Sequence, residues 1–122
     1  MKKSIVILLL LVGPAASAQQ ADSLYLVTYS LGPLWDPARN PQEQTYFAEH
    51  SAHLSKLRKD KIITMGARYS DKGIIILRLP SMKEAEDLIN QDPAIQNKLF
   101  SVTIDPLFVF YEGLVERPKA DH

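Results

Sequence analysis

Cysteine is absent from the 122 residues. That excludes disulfides, thiolate metal ligands, a cysteine nucleophile and a lipid anchor attached through cysteine. An excess of either charge is missing too, since 14 basic side chains balance 14 acidic ones. Nucleic-acid binding needs a basic face or stripe, and this balance does not supply one. Long hydrophobic runs are also lacking. The run at residues 5–12 (IVILLLLV) is eight residues long. As a helix it rises only ~12 Å, against a bilayer core of ~30 Å.

What surrounds that run gives it another meaning. Lys2 and Lys3 precede it, Gly13 and Pro14 break it, and Ala16-Ser17-Ala18 follows. A charged start, a short apolar stretch and a small-x-small step form a secretory signal peptide. Residues 1–18 are therefore expected to be cleaved, with export to the periplasm or the exterior and no stable membrane anchor afterwards. Residues 19–122 then form one domain, 122 less 18 leaving 104 residues, enough for one core. Lys2 and Lys3 leave with the peptide, so 12 basic side chains face 14 acidic ones.

The rest of the chain alternates between strand and helix signals. Residues 24–30 (LYLVTYS) are aromatic, β-branched and aliphatic, and predict a first strand. Gly32 and Pro33 end it, and Pro37 and Pro41 hold a loop around Trp35. A helix is predicted over about 42–59, with Phe47, His50, Leu54 and Leu57 on one face. Residues 61–69 and 73–79 predict two strands joined by a hairpin turn through Ser70, Asp71, Lys72 and Gly73. Pro80 stops the third strand. Ser81 and Glu84 then have capping-box spacing, ahead of an apolar face formed by Met82, Ala85, Leu88 and Ile89. Asp92 before Pro93 places an N-cap ahead of a proline at the first helical position, opening a turn that runs to about Leu99. A fourth strand is predicted over 102–111, and Pro106 inside it requires an edge position or a bulge.

The order β-α-β-β-α-β is the ferredoxin-like α+β pattern. Two helices cover one face of a four-stranded sheet. Yet residues 74–77 and 107–110 are apolar on both faces, where a strand with one wet face alternates. A homodimer packed through the open sheet face is the expected solution.

Several motifs fall in a familiar order. Gly32-Pro33-x-Trp35, His50-x-x-His53-Leu54-x-x-Leu57, Gly66, Ser81-x-x-Glu84-Ala85 and Asp92-Pro93 together resemble the YciI-like (YCII-related) family. The resemblance covers about residues 24–112. It implies a dimeric α+β barrel, similar to proteins of the muconolactone isomerase type. It also implies a His on the first helix and an Asp in an Asp-Pro step, paired in a cleft. The Asp carries over to Asp92. The family His is followed by apolar residues four and seven positions on, which fits His50 through Leu54 and Leu57, while His53 is the alternative. Two departures affect the cleft rim: Asp60-Lys61 stands where a glycine is common, and Gly66-Ala67 stands where Gly-Pro is expected.

A histidine with a carboxylate partner is suited to proton transfer near neutral pH. His50 and Asp92 are therefore the candidate catalytic pair. The bland alternatives are a core histidine bonded to a carbonyl, and an aspartate acting only as an N-cap worth about 0.5–2 kcal/mol. Trp35, His53, Arg68 and Tyr69 are candidate substrate contacts: an aromatic wall, a second imidazole, an anion-binding group and a hydroxyl. His50 and His53 lie one helical turn apart, but no acidic residue completes a metal set, and neither a metal nor another cofactor is expected. The expected function is cofactor-free isomerase, lyase or lactone-type chemistry on a small organic molecule. The competing expectation is a non-catalytic dimeric binding or stress-related module.

Overall fold

The computed structural model describes residues 21–119. The expected signal peptide lies outside them. Four strands form one antiparallel sheet: β1 (Ser23–Leu31), β2 (Ile63–Tyr69), β3 (Lys72–Leu79) and β4 (Phe100–Leu107), in the order β2-β3-β1-β4. Helix α1 (Phe47–Lys59) joins β1 to β2, while α2 (Met82–Ile89) and the single turn α3 (Pro93–Gln96) join β3 to β4. This is an α+β, ferredoxin-like arrangement.

Strand β1 pairs with both β3 and β4, and strict alternation sets which of its faces is buried. Tyr25, Val27 and Tyr29 are buried, while Leu24, Leu26 and Thr28 between them are half-buried on the opposite face. The buried set meets Ile75 and Leu77 of β3, Leu57 of α1, and Ala85 and Ile89 of α2 in one core. Both longer helices therefore cover the same sheet face. The other face keeps Leu24, Leu26, Ile74 and Ile76 half-buried. Helix α2 begins as its sequence predicts, with the Ser81 hydroxyl accepting from the Glu84 N–H at 3.2 Å.

Three boundaries depart from the sequence expectation. The helix predicted over 42–59 is interrupted. Pro41–Glu43 forms one 3-10 turn, and Tyr46 adopts φ 72°, a left-handed conformation that a right-handed helix cannot propagate, so α1 starts at Phe47. Gln44 anchors the break. Its side chain, buried here, donates to the carbonyls of Asp36 (2.6 Å) and Arg39 (3.1 Å) and accepts from the Asp36 N–H (2.9 Å).

The fourth strand spans Phe100–Leu107 rather than 102–111. Its pairing with β1 sets the limits: Leu31 pairs with Phe100 at one end and Leu24 with Leu107 at the other. Phe108, Phe110 and Tyr111 therefore lie beyond the ladder and are 77–88 % exposed. They are not the inner side of a two-faced strand. Pro106 does occupy an edge strand, the position its missing N–H demands. The β2–β3 turn is also tighter than expected, a two-residue loop in which Ser70 takes φ 54° while Tyr69 pairs with Lys72.

One close approach fixes the loop that carries Trp35. Gly32 donates to the Leu99 carbonyl at 2.8 Å, and a Cβ at Gly32 would stand 2.2 Å from the Lys98 oxygen. Only glycine fits there. The Trp35 loop is thereby tied to the junction of α3 and β4, next to the Asp-Pro step.

Candidate active site

His50 lies one turn into α1, and Asp92 caps α3. Their side chains meet: His50 Nδ1 is 2.5 Å from Asp92 Oδ2. The carboxylate is fully buried, and its other oxygen accepts from the Ala94 N–H at 2.9 Å. A buried carboxylate without partners would be costly, and here both oxygens are engaged. The cap and the pairing are thus one arrangement, because the turn of α3 aims one oxygen at its own backbone and the other at α1.

This contact sets the tautomer. A carboxylate only accepts, so Nδ1 carries the hydrogen and donates it. Nε2 is left with its lone pair and has no protein partner among the described residues. Packing holds the ring in place: Phe100 lies 4.8 Å away between ring centroids, Tyr29 5.3 Å and Phe47 6.0 Å. Such a histidine can take a proton at Nε2 while Asp92 balances the imidazolium that forms.

The ring borders a cleft of about 500 Å³, a volume in the usual range for small-molecule sites. Trp35, Phe47, Leu54 and Phe100 supply apolar wall, with Trp35 and Phe100 5.8 Å apart. Arg68 and Lys72 add positive charge from the β2–β3 hairpin. Of the residues singled out in the sequence, His50, Trp35 and Arg68 line the cleft together, with Asp92 directly behind His50.

The other two are elsewhere. His53 Nε2 donates to the Leu88 carbonyl at 2.8 Å, linking α1 to α2, and does not line the cleft. Tyr69 is 54 % exposed at the end of β2, and alternation turns it to the sheet face opposite Arg68. Among the described residues no group of three or more His, Asp or Glu side chains is placed to hold a metal ion.

Sequence reasoning passed over Tyr29. It lies at the inward positions of β1, against His50, and its hydroxyl is a buried group with no hydrogen-bond partner among the described residues. Burial, and after it the charge on Asp92, push the phenol well above its ordinary value of 10.0. It is therefore a neutral hydroxyl in any physiological solution. The signal was available in the alternation Tyr25, Val27, Tyr29. Phe100 had no comparable local signal.

No curated protein matches the chain. The sequence profile of the YCII-related domain matches residues 15–106, which include all four strands nearly to the end of β4, the three helices, and both members of the His50–Asp92 pair. The chain belongs to the YCII-related domain family.

Proposed function

We propose that this protein binds a small organic molecule in the Trp35 cleft and performs cofactor-free acid–base chemistry on it through His50 and Asp92. The observation that carries the reading is the Nδ1–Oδ2 hydrogen bond at 2.5 Å, which occupies Nδ1 and leaves Nε2 unpaired among the described residues, on a ring that lines the cleft. His50 takes a proton from carbon next to a carbonyl. Asp92 stabilises the imidazolium, and His50 returns the proton at another atom of the same molecule. The proton removed is the proton delivered, so no oxidant or metal enters the balance. Isomerisation follows directly, and elimination follows if a leaving group departs from the neighbouring carbon.

Export and self-association belong to the same reading. Lys2, Lys3, the apolar run at 5–12 and Ala16-Ser17-Ala18 support export. Among the described residues no helix is long and apolar enough to cross a membrane. The half-buried Leu24, Leu26, Ile74 and Ile76, together with the exposed Phe108, Phe110, Tyr111 and Leu114, support a homodimer closed over the open sheet face. A monomer by light scattering at micromolar concentration would contradict the dimer.

Catalysis is tested by incubating the protein in D₂O with a panel of unsaturated lactones and enolisable keto acids, followed by proton NMR. At least one compound is expected to isomerise or exchange, with His50→Gln inactive towards it. Absence of both isomerisation and exchange with every compound, or equal turnover by His50→Gln, refutes the chemistry. The scaffold reading, a dimeric module without turnover, would then stand in its place.

A further inference from the structure

The sheet floor beneath the cleft has a row with a missing side chain. Arg68 of β2 pairs with Gly73 of β3, and Gly73 pairs with Tyr29 of β1. Gly73 has the same parity as the buried Ile75 and Leu77, so all three members of the row sit on the helix-covered face. The next inward row repeats the pattern, with Gly66 opposite Ile75. A Cβ at Gly73 would find its nearest neighbours 4.0 Å away, and one at Gly66 would find Ile75 at 3.5 Å. Both are ordinary contacts. A methyl group would fit at either position, so the protein leaves this space empty rather than needing it for its own packing.

Charge in the cleft is uneven. Lys72 stands 3.7 Å from Asp71, and those two largely cancel. Arg68 has no ion pair among the described residues. The cleft therefore combines one uncompensated guanidinium, a floor without side chains at Gly66 and Gly73, aromatic walls at Trp35 and Phe47, and the unpaired nitrogen of His50. A guanidinium matches a carboxylate with two parallel hydrogen bonds, and a flat floor beneath aromatic walls suits a planar body.

We propose that the cleft is built for a small planar monocarboxylate, its carboxylate held by Arg68 and its body resting on the Gly66 and Gly73 backbone. This rests on the proposed function above and names its substrate class. The far end of the molecule then reaches His50. Arg68 fixes the orientation, and the two glycines set the thickness of what fits.

Trp35 is the only tryptophan in the chain and lines the cleft, so its fluorescence reports occupancy directly. The probes are benzoate and its neutral analogue benzamide. Benzoate is expected to bind at least about tenfold more tightly than benzamide. Arg68→Gln should bring benzoate down to the benzamide level while leaving benzamide unchanged, which also serves as the control for folding. Gly73→Val, whose Cβ would stand 4.0 Å from the Ala67 carbonyl oxygen and the Tyr29 Cβ, raises the floor and should weaken both probes. Benzoate carries no acidic C–H next to its carbonyl for His50 to take, so its binding is read apart from turnover, which separates this proposal from the catalytic one. Equal binding of the two probes to the wild type, no saturable response to benzoate, or undiminished benzoate binding by Arg68→Gln would overturn it.

Discussion

Replacing Asp92 by asparagine or by alanine separates the two duties of that side chain. In Asp92→Asn the amide oxygen can still accept from the Ala94 N–H, so the cap of α3 survives. The amide nitrogen replaces Oδ2, and it can only donate. His50 Nδ1 must then accept, which moves the ring hydrogen to Nε2 and blocks the lone pair that faces the cleft. The stability cost is expected to be small, within about 1 kcal/mol, because both hydrogen bonds are replaced. In Asp92→Ala the cap is lost, at about 0.5–2 kcal/mol. The buried His50 N–H also loses its acceptor, at a further ~1–3 kcal/mol. Urea denaturation of the three proteins measures the difference, and the proton-exchange assay in D₂O measures activity. The expected pattern is a near-native midpoint with lost activity for asparagine, and a lowered midpoint with lost activity for alanine. Equal destabilisation by both variants, or turnover retained by Asp92→Asn, would refute the division of roles.

Tyr29→Phe removes a buried hydroxyl that has no partner among the described residues, so neutral-pH stability should hold or rise, by up to about 1–3 kcal/mol. A clear fall in the urea midpoint would contradict this. The alkaline limb follows from the raised phenol of Tyr29. Folding holds its proton more tightly than the unfolded chain does, so its contribution is complete below about pH 10 and is lost as pH rises beyond that. Midpoints measured across this range should decline for the wild type and decline less for Tyr29→Phe, and parallel curves would refute the assignment. Gly32→Ala drives a methyl group against the Lys98 carbonyl and should cost about 1–3 kcal/mol, with loosening of the Trp35 loop. An unchanged melting temperature and unchanged Trp35 fluorescence would count against that close approach.

Local chemistry explains which parts of the molecule could be read from residues alone. Ser81 and Asp92 mark helix starts because a cap needs only its own next few residues. The strands β1 and β3 are visible through apolar, β-branched composition, and His50 through its place on an apolar helix face. The pair with Asp92 needed the family resemblance, since 42 residues separate its members. The misread boundaries are set by distant partners. Helix α1 starts late because Gln44 bonds across the loop to Asp36 and Arg39, and β4 ends where its pairing with β1 stops, at Leu24. The cleft floor is a matter of register: Arg68, Gly73 and Tyr29 form a row only once three strands are aligned. His53 illustrates the opposite risk. One turn from His50, it resembles a site residue in the chain, yet it spends its ring hydrogen bond on Leu88.

The most direct test of the central claim is the tautomer of His50, read from long-range proton–nitrogen correlations in mildly alkaline solution. Hydrogen on Nδ1, a bare Nε2 and loss of that pattern in Asp92→Asn are the predicted results. Hydrogen on Nε2 in the wild type, or a ring averaging between both forms, would contradict the account.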